Sequence, residues 1–281
     1  MKQNSAQSDA IKKFAALHKS GCFLLPNPWD AGTAVFLAHL GYEALATTSA
    51  GFAFSRGLPD SVSAVSCDMM LAHIKEVVDG TSLPVNADFQ NGYADGPDEV
   101  ATNVALCVAT AVAGLSIEDA SGDENKPLYD FELAVERIKA ARKSIDDSGV
   151  PVLLTARCEA WLVGHPEAAQ VAIERLVAFA EAGADCLYAP GAADPKDIEA
   201  IVKAVAPKPV NVLVSSSNYD LSLSRLTELG VRRISVGGAL FRVAWGAFIR
   251  AAKSIKETGT FESFIEAAPF TEIQNLFLRK P

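Results

Sequence analysis

"VPVLLTARCEAWLVGHPEAAQVAIERLVAFAEAGADCLYAPG", Val150 to Gly191, carries a strand, a helix and a second strand in succession. "VPVLLTARCE" (from Val150) is a short apolar run that ends on polar residues. "HPEAAQVAIERLVAFAEAG" places Pro166 at a helix start and Gly183 at its end. "DCLYAPG" (from Asp185) is again a strand-like run. Two strands joined through a helix by short turns must run parallel.

The same unit recurs along the chain. Strand-like runs are "CFLLPNP" (from Cys22), "EALATTSAG" (from Glu43), "LPVNADF" (from Leu83), "AGLSIEDA" (from Ala113), "KPVNVLV" (from Lys208) and "RRISVGG" (from Arg232). With the two above they number eight. Helical stretches lie between them. "SCDMMLAHIKEVVDG" has Ser66 as cap and Gly80 as stop, and "DFELAVERIKAARKSIDDSG" has Asp130 and Gly149. "DPKDIEAIVKAVAP" and "SLSRLTELG" repeat the scheme. Eight strand–helix units predict an α/β fold, a (β/α)8 TIM barrel, as one domain over residues 1–281. Residues 8–20 read as an N-terminal helix, and residues 252–281 as a helical C-terminal extension whose Phe residues need a partner.

Bulk properties bound the function. The 281 residues are 49% hydrophobic, enough for a large core, and the net charge of −9 argues against nucleic acid. Cys22, Cys67, Cys107, Cys158 and Cys186 show no CxxC or CxxxH spacing, which predicts reduced thiols. "MKQNSAQSDAIKK" lacks the apolar core of a signal peptide, and no stretch reads as a membrane span. A soluble, cytoplasmic protein with no membrane or nucleic-acid partner is expected.

Barrel enzymes place their chemistry at the C-terminal ends of the strands. Side chains two apart share a strand face, so Asn86 pairs with Asp88, Ser116 with Glu118 and Thr155 with Arg157. Asp88, Glu118 and Arg157 then converge at the mouth from strands three, four and five. Close carboxylates need a cation or a proton between them. Oxygen donors suit Mg²⁺ or Mn²⁺, with Asp88, Glu118 and Asn86 as metal-site residues. The alternative is a structural ion pair of Glu118 with Arg157.

Weaker signals surround this core. The Gly-containing turn in "TTSAGFAFSRGLPD" offers backbone N–H groups for a carboxylate or phosphate oxygen, or is only a connection. Asp60 at its end either bonds a metal-bound water or caps the next helix. "EDASGDENKPLYD" reads as a polar lid loop, with Lys126 either on a bound anion or solvated. "SVGG" cradles phosphate or makes a tight turn. Asn211 and Ser235, on the last two strands, complete the substrate-binding candidates. Trp29 and Asp30 line the pocket or begin a helix. His18, His39, His73 and His165 read as surface or packing residues. There is no GxGxxG or GxxxxGK[ST], and no strand-end lysine for Schiff-base chemistry.

"TTSAGFAFSRGLPD", "PVNADFQNGYADG", "SIEDA", "TARCEA", "AEAGAD" and "RRISVGGAL", in this order, resemble the isocitrate lyase/phosphoenolpyruvate mutase superfamily, over Leu25 to Gly246. The resemblance implies a Mg²⁺-dependent barrel acting on small 2-oxo or 2-hydroxy acids. It also implies an eighth helix swapped between subunits of a homodimer or homotetramer. By motif, Ser49, Ala50 and Gly51 match the backbone cradle for the substrate carboxylate. Asp60 matches an acidic residue behind the metal, Asp88 and Glu118 the metal-site carboxylates, and Arg157 the substrate arginine. With Asp60 and Lys126, Arg157 makes up the catalytic candidates.

The departures are specific. The family's strand-three motif is Asp-x-Asp, and Asn86 stands at the first position. Gln90 stands where some relatives carry another acid. The Lys-Lys-Cys-Gly-His motif of the isocitrate-type lyases is replaced by "GDENKPLYD", which argues against that activity. The mutase and phosphonopyruvate hydrolase branch uses a lysine and an asparagine in this loop, and Asn125 and Lys126 are present. The expected activity is cleavage of a C–C or C–P bond in a 2-oxo acid through a pyruvate enolate. The alternatives are phosphoenolpyruvate/phosphonopyruvate mutase and a non-catalytic metabolite-binding barrel.

Overall fold

A computed structural model of the chain describes residues 5–217 and 221–278. The eight expected strands are β1 Phe23–Leu25, β2 Leu45–Ala46, β3 Val85–Asp88, β4 Gly114–Glu118, β5 Leu153–Arg157, β6 Cys186–Tyr188, β7 Val210–Leu213 and β8 Arg233–Ser235. They form one parallel sheet in the order β1-β8-β7-β6-β5-β4-β3-β2. The β1–β2 seam is no ladder. It is bridged by the Ala46 N–H on the Pro26 carbonyl (3.0 Å) and by Asn27, whose amide donates to the Thr47 carbonyl (2.8 Å). The sheet is thus a nearly closed (β/α)8 barrel flanked by helices.

Alternation sorts each strand into two faces. Leu115, Ile117, Leu154, Ala156, Leu187 and Ile234 belong to the buried apolar core. Asn86, Asp88, Ser116, Arg157, Tyr188, Asn211 and Ser235 face a cavity at the mouth. The register sets neighbours side by side: Asp88 opposite Ser116, and Glu118 opposite Arg157.

Helix α1 (Ser5–Leu17) closes the opposite end. Its fully buried Phe14 packs edge-on against Phe23 and His18. Burying a phenylalanine contributes about 2–3 kcal/mol. The approach requires Gly114, because a Cβ there would sit 2.7 Å from both the Phe14 ring and Asn86 Oδ1. Gln7 ties the helix down by donating to the Val108 and Val112 carbonyls, both at 3.1 Å.

The remaining helices are α2 (Ala31–His39), α3 (Ser49–Ser55), α4 (Cys67–Asp79), α5 (Pro97–Ala109), α6 (Phe131–Ser148), α7 (Ala168–Glu181), α8 (Pro195–Val205), α9 (Leu223–Glu228), α10 (Ala239–Thr258) and α11 (Phe270–Leu278). The expected caps are partly corrected. Ser66 accepts from Met69 N–H, and Gly149 ends α6 in the left-handed region (φ 69°). Asp130 stands at the start of α6 but makes no cap bond; its carboxylate is paired with Lys126. Pro166 lies in the turn before α7, two residues short of the helix. Asp30 caps α2 in a reciprocal box with Thr33.

The expected C-terminal boundary also moves. Residue 252 lies inside α10, which runs unbroken to Thr258. Residues 279–281 of that extension lie outside the described residues. Helix α10 buries only Phe241, which packs on Trp29 and Phe54. Val243 and Phe248 on α10, Ile265 beyond it and Phe270 at the start of α11 are 62–91% exposed. No helix among the described residues is long and apolar enough to cross a membrane.

Candidate active site

At the mouth, Arg157 is the hub. Its NH1 meets Asp88 Oδ1 at 2.7 Å, its NH2 meets Glu118 Oε2 at 3.1 Å and its Nε meets Glu159 Oε1 at 2.9 Å. The guanidinium also lies 5.0 Å from the centre of the Tyr188 ring. Burial works against the Arg157 charge, but Glu159, Glu118 and Asp88 outweigh it and hold the group charged. The same crowding acts oppositely on the acids. Burial pushes Glu118 well above the usual carboxylate range, Arg157 pulls it back, and Glu159, Asp88 and Asp60 add to the rise. Burial also raises Asp60, with Asp88 adding and Arg157 opposing.

Asp88 is fixed from three sides. Its Oδ2 accepts from the Ser49 N–H and the Ser49 hydroxyl, both at 2.8 Å. Its own N–H donates to Thr47 Oγ1 (2.8 Å). The Gly-containing turn expected at Ser49 is in fact the first turn of α3, because Thr48 caps it: Gly51 N–H donates to Thr48 Oγ1 (3.2 Å). Of the three cradle residues, Ser49 and Ala50 line the cavity, while Gly51 is buried behind them with its N–H engaged.

The cavity holds about 150 Å³ and includes Asp60, Asn86, Asp88, Arg157, Asn211 and Ser235 in its wall. Glu118 reaches it through Arg157. Asn211 Nδ2 donates to Ser235 Oγ (2.9 Å). Asp60 caps no helix, since α4 starts at Cys67 with Ser66 as its cap. Lys126 is not brought to the cavity: its amine pairs with Asp130 on an exposed loop, so the distance from site chemistry is set by the local fold. That loop is knit by its own bonds, Ser121 N–H to Pro127 O (3.0 Å) and Asn125 N–H to Asp123 Oδ1 (2.8 Å). In "SVGG", the Val236 and Gly237 N–H groups already donate to Asn27 Oδ1, at 3.0 and 2.8 Å, so the turn holds a side chain there. Trp29 packs on Phe241 and Asp30 caps α2, and neither lines the cavity.

Several groups escape sequence reasoning. Glu159 lies two residues past Arg157, and that period-two spacing was its only signal. Tyr188 ends β6 as Arg157 ends β5, and the two are register partners. Asn27 and Thr47 act through hydrogen bonds across strands that no local pattern reveals.

The donor set fits a hard divalent cation. Asp60, Asp88, Glu118 and Glu159 crowd around one guanidinium, a surplus of carboxylate that a cation offsets. Asn86 Oδ1 is buried with no hydrogen-bond partner. Among the described residues no three His, Cys, Asp or Glu side chains converge as a ready-made metal cluster. Mg²⁺ needs none, being commonly held by one or two carboxylates, water and substrate.

A parallel barrel with acids and an arginine converging at its C-terminal mouth defines an acid–arginine site of the kind barrel enzymes use. The chain belongs to the phosphoenolpyruvate phosphomutase family, whose model matches residues 14–256. It is similar to a crystal structure from Burkholderia cenocepacia J2315, described provisionally as a lyase/mutase, with 46% identity, TM-score 0.94 and 98% of each chain covered. An uncharacterized protein of Mycobacterium tuberculosis (strain ATCC 25618 / H37Rv) is 31% identical over 93% of this chain and 94% of its own length. The 2-methylisocitrate lyase of Escherichia coli (strain K12) is 29% identical over 90% of this chain and 86% of its own.

Proposed function

We propose that this protein cleaves a C–C or C–P bond in a small 2-oxo acid and passes through a pyruvate-type enolate. The observation that carries the reading is Arg157 bound at once to Asp88, Glu118 and Glu159 at the cavity wall. Kinship with lyases and mutases supports an enzyme.

Asp88 would hold Mg²⁺ or Mn²⁺, with Glu118, Asp60 and Asn86 supporting it directly or through water. When bound, the cation supplies Lewis-acid polarisation of the substrate's carboxylate and keto oxygens. Every other part falls to the chain. Ser49 and Ala50 wall the end of the cavity that takes the substrate carboxylate. As the C3 bond breaks, its electron pair moves between C2 and C3, and negative charge develops on the C2 oxygen. Arg157 stabilises that oxygen from a fixed, water-poor position. The electrophile leaves as CO₂, as an aldehyde whose hydroxyl proton passes to water, or as an acyl or phosphoryl group that bonds to water and is released as a carboxylic acid or phosphate. Asp60, in the cavity wall, relays a proton from water to C3. Asn211 and Ser235 line the opposite wall.

The test is pyruvate release from oxaloacetate and from phosphonopyruvate, with added Mg²⁺ and with excess chelator. Metal-dependent pyruvate from either supports the reading, and the preferred substrate separates C–C from C–P cleavage. No pyruvate from either contradicts these two reactions and leaves a different 2-oxo or 2-hydroxy acid, the mutase reaction or a binding-only role.

The proposal extends to assembly. The exposed apolar residues of α10 and α11 suit a homodimer or homotetramer in which α10 docks on a neighbouring barrel. A chain truncated after Gly246 is expected to lose its native oligomer in size-exclusion chromatography; a stable native oligomer would contradict this.

A further inference from the structure

Arg233 has a role that the bond-breaking chemistry leaves unused. It stands on β8 two residues before Ser235, one layer deeper than the mouth. It is 2% exposed, yet it forms part of the cavity wall. Its Nε donates to Asn211 Oδ1 (2.9 Å), and its NH2 donates to Thr155 Oγ1 (3.1 Å). Its NH1 lies 3.3 Å from His18 Nε2.

All three partners are neutral. Burial, with Arg233 adding, pushes the His18 imidazole down to about 3. His18 Nδ1 then carries the proton and donates to the Phe14 carbonyl (2.8 Å), leaving Nε2 to accept from Arg233. Among the described residues no carboxylate pairs with Arg233. The other buried arginines differ. Arg157 and Arg175 meet acids, and Arg137 is enclosed by the carbonyls of Asn91, Ala94 and Asp95, away from the cavity. A guanidinium has five N–H donors, so donors remain after these bonds. A buried charge with only neutral partners is costly, and an anion beside it removes that cost.

We propose that Arg233 is a second anion-recognition group at the cavity floor, and that it holds the carboxylate or phosphonate carried on C3 of the substrate. This rests on the reading of the site as a 2-oxo-acid cavity. Ser49, Ala50 and Arg157 at the mouth then take the 2-oxo-acid end, and Arg233 at the floor takes the other. The volume, about 150 Å³, suits such a molecule; a cavity of about this size holds a benzene ring.

The test compares three non-cleavable ligands by calorimetry on the full chain with Mg²⁺ present. 2-Hydroxybutyrate ends in a methyl group, malate in a carboxylate and 3-phosphonolactate in a phosphonate at the same position. The wild type is expected to bind the better of the two dianions about 10- to 100-fold tighter than 2-hydroxybutyrate, as one charge-assisted contact allows. The preferred dianion tells carboxylate from phosphonate. Arg233→Met should erase the preference and leave 2-hydroxybutyrate binding unchanged. A preference that survives in folded Arg233→Met, or loss of all three ligands alike, would overturn the inference. Should Arg233→Met fail to fold, Arg233→Lys decides: a reduced preference at unchanged 2-hydroxybutyrate affinity supports the inference, and an unchanged preference overturns it. A wild type that releases pyruvate but shows no dianion preference would overturn this inference and leave the proposed function standing.

Discussion

Glu118 and Asp119 are consecutive acids in "SIEDA", and the fold sends them in opposite directions. Asp119 turns outward to Arg175, at 2.9 Å, and also accepts the Glu159 N–H (2.8 Å). Arg175 completes the arrangement by donating to the Tyr129 carbonyl (2.7 Å). One acid meets one base, and the carboxylate oxygens and guanidinium have nearby partners. Glu118 turns inward and shares Arg157 with Asp88 and Glu159. Here acids outnumber the base, and the surplus borders a cavity. Charge balance separates a pair that holds the barrel together from a cluster poised to take a cation and an anionic substrate.

The comparison can be broken most sharply at the two arginines. Arg157→Lys keeps a charge but loses the fork that reaches three carboxylates. Its turnover should fall by about 10²–10⁴-fold, measured as initial rates on protein shown folded by circular dichroism. Arg175→Lys should weaken stability and leave turnover per folded molecule near wild type. Equal effects on turnover would erase the distinction.

Metal removal comes next. Excess chelator should abolish turnover without unfolding the chain, and restored Mg²⁺ should recover it. Unchanged rates in chelator would remove the cation from the account.

The two acids should then differ in sign. Asp119→Asn breaks a buried pair and should cost about 3–5 kcal/mol in urea unfolding. Glu118→Gln relieves a crowded cluster and should leave stability unchanged or raise it by about 1–3 kcal/mol, while turnover drops. A large destabilisation by Glu118→Gln would mean that the inner cluster is structural too.

The last effect concerns pH. His73 is stacked on Phe52 with neither ring nitrogen bonded, and burial first, then Arg56, push it down to about 4. The folded chain keeps it neutral, while the unfolded chain protonates near 6.5. The unfolded state therefore takes up more protons as pH falls, and stability declines from about pH 6.5 to about pH 4. His18 adds to the same trend and extends it to about 3. His73→Phe should flatten the decline by about 3 kcal/mol over that window, read from urea midpoints. An unchanged slope would contradict the assignment.

The barrel was legible because strand and helix periods differ and because turn residues mark their joints. Period two also singled out Asp88, Glu118 and Arg157. What escaped depends on contacts between distant segments. His18 and Arg233 meet across the length of the chain, and neither carries a local signal for it. Asp119 and Glu118 are chemically alike in sequence, and only the direction of the chain past β4 separates them. Lys126 was drawn to the site by its loop, but Asp130, four residues on, is the nearer partner. The turn at Ser49 became a helix because Thr48 supplied a cap for which the motif reading made no allowance.

The most direct test is pyruvate release from oxaloacetate and phosphonopyruvate by wild type and Asp88→Ala, side by side with Mg²⁺ present. Asp88 joins Ser49 to Arg157 and faces the cavity, so its loss should cut the rate by about 10³-fold or more with the circular dichroism spectrum unchanged. A folded Asp88→Ala enzyme that releases pyruvate at the wild-type rate would contradict the account.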